Sequence, residues 1–265
     1  MEAALTSAGV IVLLALAVDL TLTLFSPFGH HGGPVHRFQN RLIWFAFRST
    51  ARVMGAKVRP QVLSLAGPVG VLSTVLLWSG WLIGAFALVY LPHLDSFRML
   101  TPTASPPWLD AVYYSGYVAS TLGLGDVVAI SPTMRAVTVV EAVAGFTLFA
   151  VSTTYALTVT REAGLAAALA AEIGAFRRVT EDVLPGESDD VGADWSLEAI
   201  AGRKAETWAA ALQRITDGHR QYPLLHFFRP TVDERSLLVH VGWLVNVLEP
   251  VAEGHLFPPL PERLL

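Results

Sequence analysis

Hydrophobic residues along this chain gather into three long runs separated by polar connections. Each run is long enough to cross a bilayer, for which about 20 helical residues are needed. They lie near residues 5 to 25, 66 to 91 and 134 to 160. The first opens on Met1-Glu2-Ala3-Ala4, without the positive leading region or small-residue cleavage site of a secretory signal, so it is read as a retained span. The second runs from Ala66 to Leu91 without an ionisable side chain, opens on Gly67-Pro68, closes on Pro92 and carries Trp78, Trp81 and Tyr90. The third is bounded by Arg135 and Arg161 and contains one charge, Glu141.

The connections orient these spans. Arg37, Arg41, Arg48, Arg52, Lys57 and Arg59 stand between the first two with no acidic residue among them. Cytoplasmic loops are enriched in Lys and Arg, so this connection is expected inside, the N-terminus and the second connection outside, and everything after Arg161 inside. Projected at about 100° per residue, Arg37, Arg41, Arg48 and Arg52 fall within roughly 60° of one another, beside a face of Phe38, Leu42, Ala46 and Val53. The pattern predicts an amphipathic helix on the inner leaflet, its arginines meeting anionic headgroups at about 1 kcal/mol per charge. A voltage sensor is the alternative, but Pro34 and Pro60 flank this segment outside any long apolar run.

After Arg161 the composition turns to Ala-rich helix with mixed charges. The periodicity predicts helices at 162 to 183, 196 to 219 and 232 to 249, the first two separated by an acidic linker that opens on Leu184-Pro185-Gly186. The chain therefore divides into an N-terminal transmembrane helix (1–30), a basic interfacial helix (31–60), a pore domain (61–160) and a cytoplasmic helical domain (161–265). The fold class is an all-α membrane protein, with three transmembrane helices plus a re-entrant helix and loop. Composition agrees: of 265 residues 53% are hydrophobic and 15% charged, too apolar for an ordinary soluble domain. A net charge of -4 offers no basic field for nucleic acid, and the absence of cysteine excludes thiolate chemistry.

The second connection carries the candidate chemistry. Pro106 and Pro107 open a short helix through Trp108-Leu109-Asp110-Ala111-Val112-Tyr113-Tyr114-Ser115-Gly116-Tyr117-Val118-Ala119-Ser120. At about 1.5 Å per residue it reaches only part of the way into a membrane, so the chain must enter and leave on one side. Irregular backbone at that depth is tolerated only in protein or along a water-filled path, which places Thr121-Leu122-Gly123-Leu124-Gly125-Asp126 on a pore. A dehydrated cation needs replacement oxygens, and backbone carbonyls supply them. Carbonyls of an ordinary strand alternate in direction. Aiming them all at one axis requires alternating handedness, with Gly123 and Gly125 at positive φ. The partly negative C-terminal end of the short helix would favour a cation at the membrane centre. One such loop cannot enclose an ion and four can, which predicts a homotetramer.

The stretch from Leu109 to about Tyr155 resembles the potassium-channel pore family. The likeness rests on Asp110-Ala111-Val112-Tyr113-Tyr114-Ser115, the Thr121 to Asp126 filter, Ser131-Pro132 with Arg135, and Glu141-Ala142-Val143-Ala144-Gly145-Phe146. The resemblance implies that Thr121, Leu122, Gly123 and Leu124 present K+-coordinating carbonyls, the Thr121 hydroxyl closing the inner site. It places Asp126 at the outer mouth, bonded to pore-helix groups for which Tyr113 and Tyr117 are in position. It makes Gly145 the inner-helix hinge, with Phe149 and Thr153 following at four-residue steps to line the cavity or inner gate; ordinary helix packing is the alternative for all three. Where the family usually has Tyr, this chain has Leu124, which keeps the carbonyl but loses a phenol that stiffens the filter. Some two-pore-domain relatives share that Gly-Leu-Gly.

These features together imply passive, potassium-selective or potassium-preferring conduction in a cell membrane, with no enzymatic activity and no cofactor beyond the permeant ion. A weakly selective monovalent cation channel is the runner-up, and a non-conducting sensor or scaffold of the same architecture is the alternative from another class. Glu141 is costly in a membrane helix unless paired, and reads either as a buttress against the rear of the pore helix or as a proton sensor. Asp19 poses the same question. His30, His31 and His36 read as solvated loop histidines, with titration or metal binding as the alternative. Glu187, Asp189, Asp190 and Asp194 lack calcium-loop spacing and read as a solvated linker. The later helices lack Gly-x-Gly-x-x-Gly, so no nucleotide-binding domain is implied.

Overall fold

The computed structural model describes residues 1–25, 33–55, 58–100, 105–183, 197–228 and 236–253. In chain order the elements are α1 (Glu2–Phe25), α2 (Pro34–Val53), α3 (Arg59–Ser64), α4 (Ala66–Tyr90), a 3-10 turn (Leu91–Ser96), β1 (Phe97–Met99), α5 (Pro107–Ala119), β2 (Val127–Ala129), α6 (Pro132–Val183), α7 (Leu197–Gln221), a second 3-10 turn (Pro223–Phe227) and α8 (Leu237–Glu253). Among the described residues three helices are long and apolar enough to cross a membrane, and they are those carrying the three hydrophobic runs. The protein is an all-α membrane protein with one short re-entrant helix, α5.

Packing groups the described residues into two units, each assembled from separated stretches: Met1–Ile43 with Pro68–Val159, and Trp44–Gly67 with Thr160–Leu265. The segment 31–60 is therefore shared between them, while the division near residue 160 follows the change in composition.

In the first unit, α1 lies against α4 where Gly9 has no side chain: a Cβ there would come 2.6 Å from the Ala85 carbonyl oxygen and 2.8 Å from the Val89 side chain. The uncharged α4 buries Trp78, Phe86 and Tyr90, while Leu72 and Leu76 face outward as a lipid-spanning helix requires. Helix α2 opens on Pro34 and has three faces. Arg37, Arg41, Arg48 and Arg52 are exposed, beside an exposed apolar face of Phe38, Leu42 and Phe45; the polar residues His36, Gln39 and Asn40 are buried, as is Ala51 near the end of the helix. A solvated helix would bury the opposite set.

β1 and β2 form a two-stranded antiparallel ribbon in the register Phe97↔Ala129, Arg98↔Val128 and Met99↔Val127. The ladder is prolonged by Leu100 N–H to the Asp126 carbonyl (2.8 Å) and Ile130 N–H to the Ser96 carbonyl (2.9 Å). It ties the chain just before the re-entrant helix to the chain just after the filter segment.

Helix α6 departs from expectation. In place of a break at Arg161, a single 52-residue helix runs to Val183. Charged residues do not end helices; a C-terminal stop needs Pro or a cap, and Gly164 and Gly174 in its interior cost only about 1 kcal/mol each. In the second unit, Leu169, Ile173, Trp208, Ile215 and Leu244 form a core joined by Phe176 and Trp243. The second 3-10 turn buries Leu224 and Leu225 and stacks Phe227 on Trp44, ring centroids 5.4 Å apart. Glu187, Asp189, Asp190 and Asp194 lie outside the described residues, as do His30 and His31.

Candidate functional site

The pore helix α5 is built for its position. Pro106 and Pro107 start it, since neither offers an N–H that would need a partner, and the Ser105 hydroxyl donates to the Asp110 carboxylate in its first turn. Ala111, Tyr114, Ser115, Tyr117 and Val118 form its buried side. At its C-terminal end the amides of the next segment fold back: Thr121 N–H donates to the Val118 carbonyl (3.0 Å) and Leu122 N–H to the Tyr117 carbonyl (2.9 Å).

From there the backbone alternates in hand. Thr121 has φ +58°, Gly123 +57° and Gly125 +77°, with no positive φ at Leu122 or Leu124 between them. Gly123 and Gly125 take the left-handed conformation that the carbonyl argument demanded of them. Thr121 is the addition: a β-branched residue in that region costs about 1–2 kcal/mol, which marks a backbone held by its surroundings. No atom lies within 4 Å of where a Cβ would stand at Gly123 or Gly125, so these glycines answer to φ and not to crowding within the chain. Leu122 and Leu124 are exposed, and Leu124 makes no polar side-chain contact that could replace a phenol.

Behind this segment stands a wall of aromatics. Tyr113, Tyr114 and Tyr117 of α5 meet edge to face at 5.4 Å (Tyr113 to Tyr117) and 5.1 Å (Tyr114 to Tyr117). Tyr114 in turn meets Tyr90 at 5.0 Å and Phe97 at 4.7 Å. Their hydroxyls have separate tasks. The Tyr113 hydroxyl donates to Asp126 (2.6 Å), whose other oxygen accepts the Val127 N–H (3.0 Å). Tyr117, placed by the resemblance on Asp126, instead donates its hydroxyl to the Val127 carbonyl. Tyr113 and Tyr117 carry the same side chain, so it is their positions one turn apart on α5 that give one the carboxylate and the other the backbone of the next residue. Tyr114 pairs with Thr138 of α6 at 2.7 Å.

Glu141 is fully buried and joins three helices. One carboxylate oxygen accepts from the Tyr90 hydroxyl of α4 (2.7 Å) and the other from the Ser115 hydroxyl of α5, which also lies 3.0 Å from the Ile83 carbonyl. This is the geometry of a brace on the rear of the pore helix. One turn later Gly145 meets the end of α5: a Cβ there would strike the Ala119 carbonyl oxygen and approach the Ala119 Cα to 2.8 Å. The glycine is thus required by close packing inside an unbroken helix. Phe149 and Thr153 stand on an exposed face of α6, with the Thr153 hydroxyl donating to the Phe149 carbonyl (2.9 Å).

A second buried polar cluster escaped the sequence reading. Asp19 of α1 accepts from Trp78 Nε1 of α4 and from the Val35 N–H at the start of α2, both at 3.3 Å. His36, read above as a solvated loop histidine, is buried and lies 3.4 Å from the Tyr155 hydroxyl of α6. Burial pushes the His36 imidazole down to about 4, against the opposing pull of the Asp19 carboxylate. The available signal was Asp19 itself, since an acid inside an apolar span needs partners.

This geometry accords with known proteins. Residues 73–162, from the interior of α4 through α5 and the filter segment into α6, match the family described as "Ion channel". Over 245 residues the chain is 26% identical to the "Uncharacterized membrane protein YdjJ" of Bacillus subtilis (strain 168), an alignment that covers 91% of this chain and 67% of that one. No solved structure matches the chain. Around the matched stretch, two helices long and apolar enough to cross a membrane flank α5 and the loop that follows it. The protein is accordingly a membrane protein, and residues 73–162 are the part of it that is similar to ion channels.

Proposed function

We propose that the chain is one subunit of a homotetrameric, potassium-selective channel that conducts passively through the carbonyls of Thr121, Leu122, Gly123 and Leu124, with the Thr121 hydroxyl at the inner end and Gly125 completing the loop. The observation that carries this reading is the alternation of positive φ at Thr121, Gly123 and Gly125, because alternating hand turns successive carbonyls to one side, where a cation can exchange water for them. The C-terminal end of α5 ends at the inner side of this segment and adds partial negative charge there. A single loop cannot surround an ion, and four around an axis can. Conduction of this kind needs no cofactor and no catalytic group.

The subunit sits in the cell membrane with its N-terminus outside and its C-terminus in the cytoplasm. Arg37, Arg41, Arg48 and Arg52 face anionic headgroups while Phe38, Leu42 and Phe45 enter the acyl boundary, a reading supported by the exposure of both sets on α2. Phe149 and Thr153 line the inner cavity of the assembly.

Leu124 favours one second reading, a weakly selective monovalent cation channel, because its side chain cannot brace the filter width. Purified protein in liposomes under a potassium gradient decides the matter. The wild type is expected to pass potassium in preference to sodium, and Gly123→Ala to abolish flux while the tetramer persists, since a Cβ resists φ near +57°. Equal sodium and potassium fluxes establish the weakly selective reading. Normal flux in Gly123→Ala removes the carbonyl filter, and no flux under varied pH, calcium and voltage leaves a non-conducting scaffold.

A further inference from the structure

The loss of the usual filter phenol at Leu124 leaves a question of what holds the segment at fixed dimensions, and one residue touches both of its ends. The backbone carbonyl of Tyr117 accepts the Leu122 N–H at 2.9 Å, at the inner end. The phenol of the same residue donates to the Val127 carbonyl, two residues beyond Gly125 at the outer end. Between these two bonds run Leu122, Gly123, Leu124, Gly125 and Asp126. We propose that Tyr117 is a strut that fixes the end-to-end length of the filter and thereby sets its selectivity, doing from the pore helix what the side chain at Leu124 cannot do from the filter itself. This rests on the reading of Thr121 to Gly125 as a filter.

Three observations support a stiff strut. Its ring is buried and clamped edge to face by Tyr113 and Tyr114, so the phenol cannot swing away without displacing two neighbours. Its anchor point is itself fixed, because Val127 lies in β2, paired with Met99 of β1, and the preceding Asp126 carbonyl is held by the Leu100 N–H. Its root is fixed too: Ser115, two residues earlier, is tied to Glu141 of α6, and the Ala119 backbone two residues later is seated on Gly145. Tyr113 differs from Tyr117 in kind. It holds the Asp126 side chain, which can rotate, whereas Tyr117 holds main chain at both ends.

Carbonyl filters discriminate between ions through the number and spacing of their oxygens, so slack in length acts on selectivity before it acts on assembly. Tyr117 is a positioning residue and touches no ion. Tyr117→Phe removes the strut's outer bond and keeps the ring.

In full-length protein reconstituted in liposomes, with potassium on one side and sodium on the other, the variant is expected to keep its tetramer and its potassium current. Its sodium-to-potassium permeability ratio should rise about five-fold, the equilibrium worth of one ordinary hydrogen bond. Amide hydrogen exchange over residues 122 to 129 should accelerate in the same variant. An unchanged reversal potential with unchanged exchange overturns the strut. So does a rise in sodium permeability without faster exchange, because selectivity would then change by another route. If the wild type conducts no ion, the filter reading fails separately and the strut is judged by exchange alone: faster exchange in Tyr117→Phe retains it as a brace of the loop, and unchanged exchange removes it.

Discussion

Among the described residues, the first unit contains two polar clusters with buried members, and they are built to different standards. Around α5 the pairs Tyr90–Glu141, Tyr114–Thr138 and, at the exposed edge, Tyr113–Asp126 stand at 2.6 to 2.7 Å, and each carboxylate oxygen of Glu141 has a donor. Around His36, the bonds of Asp19 and His36 are 3.3 to 3.4 Å long and Gln39 Nε2 donates to the Ser73 hydroxyl (2.8 Å), while His36 Nδ1, Gln39 Oε1 and Asn40 Oδ1 are buried with no hydrogen-bond partner among the described residues. Buried polar groups that are fully paired rigidify a structure, whereas unpaired ones each cost about 1–3 kcal/mol. The first cluster therefore sets a geometry. The second holds α2 in place loosely, on contacts that small changes can undo.

Removing the brace should show the contrast most strongly. Glu141→Ala would strand the Tyr90 and Ser115 hydroxyls in a dry interior and leave a cavity, lowering stability by about 4 kcal/mol. Thermal unfolding of the purified protein measures this, and a loss under about 1 kcal/mol would mean the cluster is as loose as its counterpart.

Acid should separate the clusters by attacking the other one. His36 titrates at about 4 in the folded chain against 6.5 when unfolded, so the folded state binds fewer protons between those values. The stabilisation is complete above about pH 6.5, falls as the pH drops through the window from 6.5 to 4, and is fully lost below it, for a total of about 3 kcal/mol. His36→Phe should cost within about 1 kcal/mol at neutral pH and abolish that part of the acid dependence. Melting curves of both proteins at pH 7.5 and pH 5 give the answer, and parallel curves would show that His36 is not the group that acid undoes.

A smaller effect tests the seat of the pore helix. Gly145→Ala forces a methyl group against the Ala119 backbone and should cost about 2 kcal/mol. Were Gly145 needed as a bending point alone, alanine would be accepted in this unbroken helix or even stabilise it. A rise in melting temperature would support the hinge and sink the packing explanation.

The contrast also shows what a sequence discloses. The spans were legible because lipid demands long uninterrupted apolar runs, and the conformations of Gly123 and Gly125 because carbonyl geometry leaves few residues a choice. The partners of Glu141 were not, since Ser115 and Tyr90 lie 26 and 51 residues away and only packing brings them together. The resemblance put both Tyr113 and Tyr117 on Asp126, and only Tyr113 bonds it, because spacing does not say which of two tyrosines one turn apart meets the carboxylate. His36 was misread for a related reason. A histidine beside arginines looks solvated until the face it shares with Gln39 and Asn40 is seen to point inward. Thr121 carried no signal, as left-handed backbone is unusual for its type.

The alternating hand of residues 121 to 125 has one more consequence, for shape and not for chemistry. An ordinary strand twists in a fixed sense because all its residues share one hand, and neighbouring strands diverge by roughly 20°. A segment that changes hand at every step has its twist cancelled pair by pair, much as in a polymer of mixed chirality. Such a ribbon can stand straight, and copies of it arranged around a line keep one separation from end to end. A tube of constant bore, difficult for an all-right-handed backbone, thus comes from three residues set the other way round.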